Sequence, residues 1–123
     1  LLTTFGAARH LSRLDAFALL LAAVCCHVEH TGRTNDFLVR AQHPLAVRYN
    51  DESVQQNAHC AAAFLLLKQN DRNVLEALGD ADYRRVRRGV IAAIVGTDPA
   101  QQQAHAKAMR EHVERCRTSG APP

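Results

Sequence analysis

Apolar positions along this chain recur at helical spacing, and no run of alternating apolar and polar residues is long enough to form a strand. Residues from about Asp15 to Glu29 are almost continuously apolar, which predicts a helix buried on most sides. The polar stretch Thr31-Gly32-Arg33-Thr34 interrupts it, and Asn35 is placed to cap a short helix through Ala41. His43-Pro44 marks another start, because proline suits the first helical turn. Asn50 to Ser53 is a cluster of cap formers, with Ser53 and Gln56 at capping-box spacing. The helix it opens carries Ala58, Ala61, Ala62, Leu65 and Leu66 on one broad apolar side, and Asn70 and Asp71 stop it and begin a short helix ending near Gly79. The next helix, Asp80 to Val95, has the clearest stripe: Tyr83, Val86, Val90, Ile91 and Ile94, with Arg84, Arg85, Arg87 and Arg88 on its other side. Gly96 fits a stop, and Asp98-Pro99 with Gln101 reads as cap, first helical residue and capping box. The final helix, to about Cys116, lines up His105, Ala108, Met109, His112 and Cys116, and Thr118 to Pro123 reads as a frayed tail. The expectation is an all-helical bundle with short connections, no internal repeat and no inter-domain linker.

Composition narrows this picture. At 123 residues the chain is one domain or part of one, and its 30 Leu, Ile, Val and Phe residues suffice for a packed core. Twenty-one alanines beside few aromatics favour helix over strand. The net charge of +3 is too weak to argue for nucleic acid, and the arginine cluster at Arg84 to Arg88 lacks interleaved aromatics on which bases would stack. The longest apolar run, Ala16 to Cys26, is too short to span a bilayer and lies too far in, behind Arg9, His10 and Arg13, for a signal peptide. The chain begins with Leu rather than Met and is expected to be a piece of a longer protein. Cys25, Cys26, Cys60 and Cys116 form no CxxC pair and no secreted disulfide framework, so reduced thiols and a cytoplasmic location are expected.

The densest chemistry is Cys26-His27-Val28-Glu29-His30-Thr31-Gly32. On a helix Cys26 and His30 stand at i and i+4, and His27 and His30 at i and i+3, so three zinc-compatible ligands would share one face, with Glu29 beside them for proton transfer. The plainer alternative is a helix end with partly exposed histidines. His59, between Ala58 and Cys60, reads as a hydrogen-bonded histidine at the core boundary, which helix packing could bring towards His27 and His30. The spacing of His105, His112 and Cys116 suits a packing face better than a ligand set.

Two motifs carry a family resemblance. Ala22-Ala23-Val24-Cys25-Cys26-His27-Val28-Glu29-His30-Thr31-Gly32-Arg33-Thr34-Asn35 resembles the AA-x-x-HD-x-[DE]-H-x-G-x-x-N motif of class I 3′,5′-cyclic nucleotide phosphodiesterases. Tyr49-Asn50-Asp51-Glu52-Ser53-Val54 resembles the start of their Y-N-D-x-S-V-L-E-x-H-H motif. Downstream, Asp82-Tyr83-Arg84 through Gly89-Val90-Ile91 and Thr97-Asp98 resemble the family's Y-R-x-x-R-x-x-I-I-x-x-[VI]-x-A-T-[DE] helix. The resemblance implies a multi-helix bundle of the histidine-aspartate type with two divalent metals, zinc and usually magnesium, at the bottom of a pocket. It implies a cyclic AMP or cyclic GMP substrate in the full-length parent, while the composition leads to the expectation of no nucleic-acid partner and no membrane segment in this chain. On this basis residues 1–117 are a partial catalytic domain and 118–123 a disordered tail.

By the same resemblance His30 matches a histidine near the phosphate, Asn35 a polar residue beside the metal network, and His59 the second of the paired histidines, while Asp98 matches the acid closing its helix. Cys26 takes the metal-binding histidine position and His27 the metal-binding aspartate position. Gln56 stands for glutamate and Ala58 for the first paired histidine, and no H-x-x-x-H-A-A-D or A-D-[LIV]-x-[NH] motif occurs in the sequence. A neutral imidazole offers one lone pair and no negative charge where a carboxylate would serve both metals. The 123 residues are therefore expected to lack hydrolytic activity and to bind divalent metal weakly or not at all. The alternative for the parent is a non-catalytic relative that keeps the bundle for binding or regulation.

Overall fold

The computed structural model describes residues 7–69 and 71–119. After a 3-10 turn at Ala7–His10 come six helices: α1 (Arg13–Cys25), α2 (Asn35–Arg40), α3 (Pro44–Arg48), α4 (Val54–Leu67), α5 (Asp80–Val95) and α6 (Pro99–Ser119). The described residues contain no strand, as the periodicity predicts.

Helix α1 starts earlier and ends earlier than its apolar run. Ser12 caps it: its hydroxyl oxygen accepts the Asp15 N–H at 3.2 Å, and the Asp15 carboxylate accepts the Ser12 N–H at 3.3 Å. Arg85 of α5 donates to the same carboxylate at 2.8 and 3.2 Å, tying the start of α1 to α5. The helix stops at Cys25 rather than Glu29. The Val28 N–H reaches the Cys25 carbonyl at 3.1 Å in a tight turn, and Glu29 adopts a left-handed φ of 58°.

The core is built on small residues. Ala18 of α1 faces Gly89 of α5, and a Cβ at Gly89 would lie 3.0 Å from the Ala18 Cβ. Around this close approach Ala22 and Cys25 pack with Cys60, Ala63 and Phe64 of α4, Val86, Val90 and Ile94 of α5, and Leu75. The α5 stripe is thus oriented as its spacing predicts, with Tyr83 and Ile91 at its half-buried edge. Arg87 departs from the solvated face expected of the cluster, with its guanidinium 4.0 Å from the Phe64 ring centroid. A second cluster, Leu38, Ala46 and Val54, joins α2 and α3 to the start of α4.

Four further expectations are corrected. The inner side of α4 carries His59, Cys60, Ala62, Ala63 and Phe64, while Ala61 and Leu65 face solvent. Its rotation is set by packing on α1 and α5, and alanine periodicity alone does not fix it. Residues 71–79 form turns rather than a short helix: the Asn73 side chain accepts the Leu75 N–H at 3.2 Å and competes with helical bonding, and Leu75 drops into the core. The stop assigned to Asn70 lies outside the described residues. Finally, α6 continues through Ser119, two residues into the expected tail, and Gly120 to Pro123 lie outside the described residues. His105, Met109 and His112 on α6 are exposed, so their stripe is not a packing face within the described residues. Among the described residues no helix is long and apolar enough to cross a membrane, and no disulfide joins the cysteines.

Candidate functional site

The site grows from the first turn of α4. Asn50, Asp51 and Ser53 all take left-handed φ values of 52°, 64° and 42°, a conformation that, glycine aside, Asn and Asp enter most readily. This turns the Ser53 hydroxyl away from its own helix. It donates to Asp98 Oδ2 at 2.6 Å and accepts from Gln101 Nε2 at 3.0 Å. Asp98 Oδ1 accepts the Ala100 N–H at 3.0 Å, so Asp98 caps α6 as expected. The capping boxes expected for Ser53 with Gln56 and for Asp98 with Gln101 do not form. Ser53, Asp98 and Gln101 instead bind the start of α4 to the start of α6, and Ser53 and Asp98 are buried.

The cap of α4 comes from elsewhere in the chain. Asn35 Oδ1 accepts the Gln55 N–H at 3.0 Å, and Asn35 Nδ2 donates to Gln56 Oε1 at 2.9 Å. Asn35 therefore caps α4 and not α2, whose cap is the Thr34 hydroxyl at 3.2 Å from the Phe37 nitrogen. Gln55, buried, was not singled out by the sequence reading. Its Oε1 accepts from the Thr31 hydroxyl at 2.8 Å and the Thr31 N–H at 3.3 Å, and its Nε2 donates to the Arg33 carbonyl. The available signal was a glutamine where the Y-N-D-x-S-V-L-E-x-H-H motif places leucine. Gln55 and Asn35 together pin the turn after α1 and the start of α2 onto α4.

That pinning delivers three imidazoles to one point. His27 and His30 do not share a helical face, because α1 ends at Cys25; the turn around Glu29 brings them together instead. Ring centroids lie 5.7 Å apart for His27 and His30, 6.0 Å for His27 and His59, and 5.5 Å for His30 and His59. One ring nitrogen of each lies within 4.8 Å of the others. His59 is 2% exposed, and its Nδ1–H donates to the Val28 carbonyl at 2.7 Å, leaving Nε2 as its lone-pair nitrogen. Burial holds the His59 pKa below its ordinary value; the Val28 carbonyl opposes this, and neighbouring His30 and His27 add to it. At His30, Nδ1 accepts the Gly32 N–H at 2.9 Å while Gln55 Nε2 stands 3.2 Å from Nε2. A neutral ring has one lone pair, so these two donors compete for it.

The remaining candidates surround the same space. Cys26, His27, His30, Asn35 and His59 all line a cleft of about 1100 Å³, together with Gln56 and Asp98. Cys26 is half-buried; its thiol donates back to the Ala23 carbonyl at 3.3 Å and stands apart from the imidazole group. Carboxylates of Asp36, Asp51, Glu52 and Asp98 also line the cleft, yet among the described residues none joins the three imidazoles within that distance. The donor set therefore suits an ion that accepts nitrogen ligands. It does not fit a pair of divalent ions of which one is a hard, oxygen-seeking cation.

An all-helical bundle whose polar cleft gathers histidines and capped helix starts at the motif positions points to one group of hydrolases. The chain belongs to the 3′,5′-cyclic nucleotide phosphodiesterase family, whose model matches residues 1–120. It is 38% identical over 112 residues to the 3′,5′-cyclic-nucleotide phosphodiesterase regA of Dictyostelium discoideum, covering 91% of this chain and 14% of that protein. It is 40% identical over 96 residues to the high affinity cAMP-specific and IBMX-insensitive phosphodiesterase 8A of Mus musculus, covering 77% of this chain and 12% of that protein. Among solved structures, the phosphodiesterase domain of the rhodopsin phosphodiesterase of Salpingoeca rosetta matches with a TM-score of 0.80 and 34% identity, covering 82% of this chain and 31% of that one. The chain thus spans about a third or less of the proteins it matches. The family is metal-dependent, and among the described residues His27, His30 and His59 form a group whose ring nitrogens are close enough to hold a metal ion.

Proposed function

We propose that this chain is part of a catalytic domain which, in the whole protein, hydrolyses a 3′,5′-cyclic nucleotide, cyclic AMP or cyclic GMP, to the 5′-nucleotide. The carrying observation is that His30 and Asn35 of one motif and His59 of another, far along the chain, line one cleft. A cleft of about 1100 Å³ is slightly larger than the usual small-ligand site and has room for a nucleotide. Arg33, which also lines it, adds a cation suited to a phosphate. In this reading His30 and His59 face the cyclic phosphate, and Asn35 keeps the cleft wall in register by capping α4. Zinc and magnesium are the family's implied ions, and any hard-cation ligands come from residues other than the three histidines. The 123 residues alone do not turn over substrate. The unlinked cysteines fit a cytoplasmic setting.

The alternative of a non-catalytic relative is favoured by one observation. Gln56, at the glutamate position, is satisfied by the Asn35 amide at 2.9 Å, so this corner of the cleft is complete without charge. Hydrolysis of cyclic AMP and cyclic GMP by the full-length gene product, with zinc and magnesium supplied, separates the two. Turnover supports the enzyme; its absence in a folded protein that still binds nucleotide supports the relative.

A further inference from the structure

We propose that this chain holds one borderline transition-metal ion, of the zinc class, on His27, His30 and His59, as a three-imidazole site in place of the family's carboxylate-bearing pair. The sequence alone pointed to weak or absent metal binding, because no carboxylate matches the metal-binding position and His59 could not be placed. The fold places it: the His59 ring is 5.5 Å from His30 and 6.0 Å from His27, and one nitrogen from each lies within 4.8 Å of the others.

Three features prepare the site. His59 is the rigid member: its Nδ1–H is held by the Val28 carbonyl, so Nε2 presents its lone pair without a change of tautomer. His27 and His30 are exposed and sit on the turn after α1, so their rings can move without disturbing the core. Zinc–nitrogen bonds of about 2.0–2.1 Å in a tetrahedral shell need nitrogens about 3.4 Å apart, so the group closes by little more than 1 Å. When His30 ligates through Nε2, its proton moves to Nδ1, which then no longer accepts the Gly32 N–H. Gly32 is exposed at φ 73°, so its N–H is free to turn to water, and Gln55 retains its bond to the Arg33 carbonyl. The competition of two donors for one His30 lone pair ends on binding.

The donor set fixes the chemical class. Three neutral nitrogens suit zinc, cobalt, nickel or copper, whereas magnesium requires oxygen ligands in octahedral array. Three protein ligands leave the fourth position facing the cleft. The site rests on the geometry of this chain and stands whether or not the whole protein hydrolyses cyclic nucleotides.

The test uses the full 123-residue chain, stripped with chelator and titrated with cobalt(II) while visible absorption is recorded. The expected result is a four-coordinate cobalt band that saturates at one equivalent, is displaced by zinc and survives excess magnesium. His27→Ala and His30→Ala, both at exposed positions, each weaken zinc binding at least tenfold with unchanged far-UV circular dichroism. His112→Ala with Cys116→Ser leaves binding intact. Absence of the cobalt band, displacement by magnesium, zinc binding indifferent to both single variants, or binding lost only with His112 and Cys116 would each overturn the proposal.

Discussion

Replacing Asn35 with alanine tests the idea that α4 is capped from a distant part of the chain. Ser53 cannot cap α4, because its left-handed backbone sends its hydroxyl to Asp98. Asn35 supplies the missing acceptor to the Gln55 N–H at 3.0 Å, and loss of such a cap costs about 1 kcal/mol. The same side chain donates to half-buried Gln56 Oε1 at 2.9 Å, and orphaning that oxygen costs about 1 kcal/mol more. Asn35→Ala should therefore destabilise the chain by about 2 kcal/mol, a fall in Tm of about 8 °C for a domain of this size. Asn35→Asp keeps the cap acceptor and places a negative charge at a helix start, while the Gln56 amide can turn to donate, so its loss should stay below about 1 kcal/mol. Urea unfolding followed by far-UV circular dichroism measures both. An Asn35→Ala variant within about 0.5 kcal/mol of the parent, or an Asn35→Asp variant equally damaged, would refute the reasoning.

Three further outcomes follow from the packing and the titrating groups. Gly89→Ala gains up to about 1 kcal/mol of helix propensity but sets its Cβ 3.0 Å from that of Ala18, so α1 and α5 must separate and thermal melting should show net destabilisation of about 1 kcal/mol. The Arg85 guanidinium, with help from the Ser12 hydroxyl, holds the Asp15 carboxyl below its usual 3.8, so its stabilising effect is complete above that pH and is lost as pH falls through the depressed value. Asp15→Asn should remove this acid-side loss from a stability–pH curve, and Arg85→Ala should do the same. Burial pushes the Cys25 and Cys60 thiols up, so alkylation followed by peptide mass spectrometry should mark half-buried Cys26 well before either of them.

The helices were legible wherever one face decides the pattern. The α5 stripe from Tyr83 to Ile94 needed only helical spacing, and Pro44 marked the start of α3 through its backbone preference. Alanine-rich stretches were less informative, since alanine is tolerated on either side of a helix; α4 therefore exposed Ala61 and Leu65 against expectation. Caps were misread where a side chain has partners at both short and long range. Ser53 and Asn35 each have a good local use, and the fold spends both on partners far along the chain, Asp98 and Gln55. The motif resemblance singled out His30, Asn35 and His59, which line one cleft, but it carried no geometry. The convergence of His59 on His27 and His30 depends on the early end of α1 at Cys25 and on the Gln55 brace. An apolar run that continues through Cys26, with Val28 just beyond it, concealed the first, and only a polar residue at a leucine position hinted at the second.

The most direct test of the account is hydrolysis of cyclic AMP and cyclic GMP, with zinc and magnesium supplied, by the 123-residue chain and by the full-length gene product. Each is assayed as it stands and with Cys26→His combined with His27→Asp. No turnover is expected from the 123 residues in either form, and kcat/KM of the full-length protein should rise when the family's metal-binding pair is restored. Metal-dependent turnover by the unmodified 123-residue chain would contradict the account, because the residues assigned to the cleft would then already form a complete catalytic site.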